Sequence, residues 1–291
     1  MNGAGAYLQL TKPRLLPLVL FTGLPPLLMA EAGTLSAGLA IATLGGTALV
    51  AGAANALNSY LERDSDALMT RTESRPLPSG ALSPGRALAF GILLALAGTG
   101  SLWHFCGVHA ALIALTAIFF YVFVYTLWLK PRSRWAILAG GVSGAITPLI
   151  ADAAVNGHVG AVGWLLFAIV FTWQPPHFYA IALYRKREYE RAGYQMLPSR
   201  IGDEATRRRI VAWVAAAVIP ASLLTAALTP VGALYAIAAL ALGGWFLVEA
   251  LVLLRHRTPL AARRFFWVSL AYLASLFLVM IADLGLERWV V

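Results

Sequence analysis

The chain has 291 residues, 60% of them hydrophobic and 12% charged, with a mean hydropathy of +0.75. Soluble domains carry about 45–50% apolar residues, so this composition excludes a water-soluble protein, and spans of roughly 20 residues each leave no room for a separate soluble domain. The single cysteine, Cys106, excludes a disulfide framework and any Cys-based zinc or iron–sulfur site within one chain, while the net charge of +9 raises a nucleic-acid reading that the positions of the charges must decide.

Nine apolar runs follow one another, at about 15–30, 36–58, 87–103, 108–129, 136–152, 160–183, 210–228, 231–254 and 265–286, each read as a membrane-crossing helix, the third and fifth being short. An odd number of crossings puts the termini on opposite sides. The first run follows Lys12 and Arg14. With eight more runs behind it and no A-x-A-like cleavage site, it reads as a retained helix rather than a signal peptide.

With the N-terminus in the cytoplasm, all of the 22 lysines and arginines except Arg288 fall on the inner side, Arg134 among them. That bias is what the positive-inside rule describes, and it leaves no basic patch for nucleic acid. The sequence therefore predicts a multi-pass protein of the cell inner (cytoplasmic) membrane, N-terminus cytoplasmic and C-terminus outside. Of the nine tryptophans, all but Trp173 and Trp245 lie near span ends, Trp289 included, as interfacial rings do. Trp173 opens T-W-Q-P-P-H-F (172–178), where Pro175 and Pro176 are expected to break the sixth span. Such a break is tolerated only against protein or a water-filled cavity.

The outer connections at 31–35, 104–107, 152–159 and 229–230 are short, whereas two inner loops, about 59–86 and about 184–209, are long and charged. Both contain L-P-S, at 77–79 and 197–199, an echo that suggests two related four-helix halves plus a ninth helix. The fold class is all-α, an integral membrane bundle, with residues 1–291 read as one transmembrane domain.

The chemistry is expected at these two loops. In the first, Asn58, Glu62 and Asp66 are spaced i, i+4, i+8, so a continuing helix gathers them into one polar stripe, with Asp64 on roughly the opposite side. Carboxylates so placed repel one another unless a cation sits among them. Mg²⁺ prefers such oxygen ligands, completed by water and substrate phosphate. Arg71 and Arg75, again i, i+4, offer guanidinium forks suited to phosphate oxygens. The same residues also fit a solvated loop, but Asn58, still inside the apolar run, would then be a buried polar group without a partner. In the second loop Gln174 and His177 precede Y-R-K-R-E-Y-E-R-A-G-Y-Q-M-L-P-S-R (184–200). Its surplus of basic residues, Lys186 included, reads as anion-holding, with Glu188 a candidate second metal ligand.

The stretches N-S-Y-L-E-R-D-S-D-A-L-M-T-R-T-E-S-R-P-L (58–77), Y-T-L-W-L-K-P-R (125–132), G-G-V-S-G-A (140–145) and T-W-Q-P-P-H-F-Y-A-I-A-L-Y-R-K-R-E-Y-E-R-A-G-Y-Q-M-L-P (172–198) resemble the protohaem IX farnesyltransferase (haem O synthase) family of UbiA-type intramembrane prenyltransferases. The resemblance runs from about residue 10 to beyond 200, and the last three helices carry little motif. It maps the family's N-x-x-x-D-x-x-x-D motif onto Asn58, Glu62 and Asp66, and D-Y-x-x-A-G onto Glu188, Tyr189, Ala192 and Gly193, with Glu in place of Asp at 62 and 188. Further departures are Ala136 where the family has Asn, Thr147 where it has Pro, and Ala151–Asp152 where it has a G-W pair.

The resemblance implies transfer of a farnesyl group from farnesyl diphosphate to a vinyl group of haem B, with addition of water, giving haem O. It also implies association with haem A synthase or terminal oxidase assembly. On this reading Mg²⁺ is held by Asn58, Glu62 and Asp66, with Arg71, Arg75, Lys130 and Lys186 as diphosphate contacts, Glu188 as a catalytic partner, and Trp173, Gln174 and His177 on the acceptor side. His177 can ligate haem iron or serve as an interhelical hydrogen-bonding group.

His104 and His109 do not match a haem-attachment pattern, His256 reads as part of an interfacial basic cluster, and Glu249 and Asp283 as partners for polar groups near span ends. Three other readings stand beside this one. A UbiA-type enzyme with a quinone-precursor or other tetrapyrrole acceptor is the nearest. A secondary transporter should carry its charges near the midplane, and a structural subunit has no evident use for the two loops.

Overall fold

The computed structural model describes residues 3–30, 34–133 and 135–290. Arg134 and most of the outer connection at 31–35 lie outside the described residues, as do the side chains of Arg288 and Trp289. In chain order the helices are α1 (Gly3–Leu10), α2 (Leu16–Leu28), α3 (Ala37–Leu61), α4 (Arg63–Asp66), α5 (Pro84–Cys106), α6 (Val108–Leu129), α7 (Ala136–Asn156), α8 (Ala161–Tyr184), α9 (Lys186–Arg191), α10 (Leu197–Ile201), α11 (Asp203–Leu228), α12 (Ala233–His256) and α13 (Pro259–Val290). Among the described residues all regular structure is helical.

Eight of these, α3, α5 to α8 and α11 to α13, are long and apolar enough to cross a bilayer. They match eight of the nine apolar runs. The first run instead forms the shorter α2, in two pieces, Leu16–Phe21 and Leu24–Leu28, with Gly23 between them. It still joins the two ends of the bundle. Lys12 contacts Asn58 near the C-terminal end of α3, and α3, 25 residues long, spans roughly 37 Å at 1.5 Å per residue. The chain between residue 12 and Ala37 therefore travels the full height of α3.

Contacts tie the long loops together at one end. Lys130 reaches Glu62 and lies over the Tyr194 ring at 4.9 Å, Lys186 pairs with Asp203, and Arg207 donates to the Arg257 carbonyl. At the other end Asp152 accepts from the backbone N–H groups of Gly160 and Gly163 and from Asn156, and Asp283 accepts from Gly232 N–H, so these two buried carboxylates cap helix N-termini.

The proline pair does not break the sixth run. α8 is continuous through Pro175 and Pro176, and a neighbouring helix supplies the donor that Pro176 lacks. Pro176 has no N–H for the Thr172 carbonyl, and the indole N–H of Trp213 in α11 donates to that carbonyl at 2.5 Å. Freed backbone groups at membrane depth persist only when re-satisfied in this way. The interruption falls instead in α7, where Ala136–Gly144 gives way at Ala145–Ile146 to Thr147–Asn156, with Pro148 in the first turn of the second piece.

α3 and α5 approach each other closely. A Cβ on Gly98 would stand 2.9 Å from the Val50 backbone nitrogen, and one on Gly91 2.9 Å from the Leu57 side chain. Small residues at such crossings let backbones approach where lipid offers no hydrophobic drive between helices. One apolar cluster runs through α3, α5, α6 and α7, and a second through α8 and α11 to α13.

The second half of α6, Phe120–Leu129, is a π-helix of 10 residues. Such wide turns are rare and concentrate at functional sites. Here the segment lies beside the C-terminal end of α3.

Candidate active site

The polar stripe forms as its spacing predicts. Glu62 N–H bonds to the Asn58 carbonyl at 2.9 Å and Asp66 N–H to the Glu62 carbonyl at 2.8 Å, so the helical path carries on from α3 into α4 and the three side chains share a face. They are not part of a solvated loop: Asn58 is 2% exposed, Glu62 8% and Asp66 2%. The following segment folds beneath them, with Met69, Thr72, Leu77 and Leu82 buried and the Thr72 hydroxyl donating to the Asp66 carbonyl at 2.7 Å.

Each oxygen-bearing side chain meets one cation. Arg75 binds the Asp66 carboxylate at 2.6 Å, Lys130 binds Glu62, and Lys12 donates to the Asn58 amide oxygen at 2.8 Å. The other end of the Asn58 amide donates to the Thr126 hydroxyl at 3.1 Å, and that hydroxyl donates to the Tyr121 carbonyl five residues back in the π-helix. This chain of donors fixes which way the amide faces. The repulsion foreseen between the carboxylates is thus relieved by lysine and arginine side chains.

Charge crowding marks the cluster. Burial, and next the positive Arg75, pull the Lys12 pKa down to about 7. For Lys130 burial acts in the same direction but is outweighed by Tyr125, Glu62 and Tyr194, and the pKa is raised. Beside the stripe opens a cavity of about 330 Å³ lined by Leu61, Glu62, Ser65, Thr126 and Leu127 on one side and Ala192, Gly193 and Tyr194 on the other. Gly193 adopts φ +79°, a left-handed conformation that glycine takes freely, and the turn it makes brings Tyr194 across to Ser65 and Lys130.

The other sequence candidates sit elsewhere. Arg71 is exposed on the loop surface. Glu188 is half-buried and paired with Arg185 at 2.9 Å, and Lys186 with Asp203 at 2.9 Å. From that motif it is Ala192 and Gly193 that reach the cavity wall.

Gln174 crosses to α7, where its amide donates to the Gly141 carbonyl at 2.8 Å and its oxygen lies where a Cβ on Gly144 would need to be. Trp173 donates to the Ser269 carbonyl at 2.7 Å. His177 is sandwiched between Trp173 and Phe266, ring centroids 4.5 and 4.7 Å away, with Nδ1 2.7 Å from the Ser269 hydroxyl. Trp173 and His177 therefore join α8 to α13. Lys12, Thr126 and Tyr194 belong to the site and were not singled out as such from the sequence. In the sequence Lys12 is one more charge beside the first span, and Thr126 and Tyr194 lie within the stretches 125–132 and 172–198.

Among the described residues no three His, Cys, Asp or Glu side chains converge as a metal site. Two carboxylates and an amide oxygen still suit Mg²⁺, which binds through one or two carboxylates and substrate phosphate rather than an all-protein cage.

Residues 17–278 match the model of the UbiA prenyltransferase family. The chain belongs to the UbiA prenyltransferase family. It is a multi-pass membrane prenyltransferase, which sets aside the transporter and the structural-subunit readings. Proteins named protoheme IX farnesyltransferase are its relatives: that of Rhodopseudomonas palustris strain BisB5 is 43% identical over 97% of this chain and 90% of its own length, and that of Trichodesmium erythraeum 42% over 96% and 85%.

Among solved structures, one of digeranylgeranylglyceryl phosphate synthase superposes with a TM-score of 0.80 at 18% identity, covering 98% of this chain and 99% of that one. A UbiA homologue from Archaeoglobus fulgidus bound to DMAPP and Mg²⁺ gives 0.69 at 16%, covering 94% and 98%. Within this family chain, Ala136 and Thr147 are buried and Thr147 packs against Gly23, while the Asp152 carboxylate is consumed by the helix cap at the end of the bundle away from the cavity. None of the three lines the cavity.

Proposed function

We propose that this chain transfers the farnesyl group of farnesyl diphosphate to a vinyl group of haem B at the cytoplasmic face of the cell membrane, water adding to complete haem O. The observation that carries the proposal is the buried set Asn58, Glu62 and Asp66, gathered on one face beside a cavity and matched by basic side chains. The names of the relatives supply the substrates, and the A. fulgidus homologue bound to DMAPP and Mg²⁺ supports a metal–diphosphate pairing.

Asn58, Glu62 and Asp66 would hold Mg²⁺, which when bound neutralises charge on the departing diphosphate. Arg75 and Lys130 take diphosphate oxygens and stabilise the negative charge that grows as the C–O bond breaks. The allylic cation adds to the vinyl carbon, a new C–C bond forms, and water captures the resulting cation with loss of a proton. Leu61, Leu127 and Pro131 give the cavity apolar walls that limit water at this stage.

For the haem, a contact from His177 to the iron would be made through Nε2 and requires the packing of its ring between Trp173 and Phe266, outside the cavity lining, to open. The Ser269 hydroxyl donates to the Phe266 carbonyl at 2.6 Å, so it accepts from His177 Nδ1–H and leaves the lone pair on Nε2.

Pyrophosphate release by the purified chain tests the proposal. It should need farnesyl diphosphate, haem B and a divalent cation together. Release at the same rate without haem, or with a quinone precursor in its place, refutes the assigned acceptor. His177→Ala should raise the haem concentration needed for half-maximal rate far more than that of farnesyl diphosphate; an equal rise in both assigns His177 to packing alone.

A further inference from the structure

The carboxylates and the cations of the site do not balance. Glu62 and Asp66 bring two negative charges and Arg75 and Lys130 two positive ones, and Lys12, which feels all four, adds a third positive charge whenever it is protonated. Its hydrogen-bond partner, the Asn58 amide, is neutral. Facing an amide, the buried Lys12 amine is short of a counter-charge in its ammonium form, which an anion completing the site would stabilise.

Lys12 is held in place by its surroundings rather than by its own flexibility. Its backbone is left-handed, φ +53°, one of two non-glycine residues so placed among the described residues, and it precedes Pro13, which disfavours the right-handed α conformation there. The Thr11 carbonyl accepts from the Asn55 side chain at 3.1 Å. Gly52 leaves room for the Thr11 side chain, which a Cβ would approach to 3.3 Å. Leu10 is buried in a cluster with Ala56, Leu77, Leu82 and Ala87. These anchors fasten the N-terminal segment to α3 and the first loop, and they deliver Lys12 to Asn58.

We propose that Lys12 is a third diphosphate-binding cation, and that with Lys130 and Arg75 it occupies the metal-binding oxygens until diphosphate draws the three side chains onto its own oxygens. The inference rests on the reading of Asn58, Glu62 and Asp66 as the metal–diphosphate site. Metal and diphosphate then bind as a coupled pair. A cation arriving alone must displace an ammonium from Asn58, whereas one arriving with diphosphate finds Lys12 already engaged.

The test is Mn²⁺ binding to the purified chain, followed by electron paramagnetic resonance, with and without inorganic pyrophosphate and corrected for the Mn²⁺–pyrophosphate complex free in solution. In the wild type, pyrophosphate should tighten Mn²⁺ binding on the order of tenfold or more, within the usual range of site-to-site coupling. Lys12→Met should bind Mn²⁺ alone several-fold more tightly than the wild type while losing most of that coupling, and Lys12→Arg should keep it. Lys12→Asn, which tolerates a left-handed backbone, repeats the measurement with the strain eased, so a folding defect in one variant does not decide the outcome. Asp66→Asn should abolish the coupling.

Lys12 variants indistinguishable from the wild type in both measurements overturn the inference and leave the site intact. A wild type that binds no Mn²⁺ even with pyrophosphate overturns the reading of the site, and the inference with it.

Discussion

Replacing Asp66 by Asn keeps the shape of the side chain and removes its charge, and two effects of different size should follow. The first is structural. Opposite charges 2.6 Å apart attract by about 6 kcal/mol at an effective dielectric of about 20. The carboxylate is 3% exposed and the Arg75 side chain 28%, so desolvation cancels much of this and leaves about 2–3 kcal/mol, as for other hydrogen bonds to charged groups.

The second effect is catalytic. Loss of a carboxylate that would hold the cation facing the developing charge lowers turnover by about 10²–10³. A double-mutant cycle separates the two. Asp66→Asn, Arg75→Gln and the double variant are compared by thermal unfolding in detergent and by incorporation of labelled farnesyl. The double variant should be more stable than either single variant, because neither an unpaired guanidinium nor an unpaired buried carboxylate remains, while turnover stays lost. Recovery of turnover together with stability would refute the reasoning and reduce Asp66 to a partner that fixes the loop.

Glu62→Gln should abolish turnover, and Glu62→Asp should retain much of it, since the carboxylate remains although its arm is one methylene shorter; equal loss in both, measured as initial rate at saturating substrate, counts against a ligand role. Gly98→Ala should cost about 1–3 kcal/mol of stability through overpacking, because the new Cβ meets the α3 backbone, whereas Gly100→Ala, with nothing within 4 Å, should be harmless; similar unfolding midpoints for the two refute the close α3–α5 approach. In a Cys106→Ser background, His158→Cys should react with an impermeant thiol reagent added to intact cells and Ser79→Cys should not, and the reverse pattern overturns the proposed orientation.

The fold was legible because hydropathy sets span length and loop charge sets the shared end, and both survive in the structure. Spacing likewise gave the stripe, since i, i+4, i+8 holds whether the helix is one piece or, as here, α3 running on into α4. What spacing does not encode is the partner across the bundle. The Pro175–Pro176 pair reads as a break because the sequence around it does not show that Trp213, 41 residues away, donates to the Thr172 carbonyl. Lys12, 46 residues from Asn58, looked like one more inner-face charge for the same reason. The π-helix that aims Thr126 at Asn58 has no periodicity signal of its own in a mostly apolar run. Helical spacing pairs Arg71 with Arg75, but the segment after α4 is a series of turns, and only Arg75 faces inward.

The most direct test of the central claim is the mass of the pigment formed when the purified chain is given haem B, farnesyl diphosphate and Mg²⁺. The account predicts a haem heavier than haem B by one farnesyl group and one hydroxyl group, formed by the wild type and absent with Asp66→Asn. Unaltered haem B beside a prenylated quinone precursor or another prenylated acceptor would contradict it.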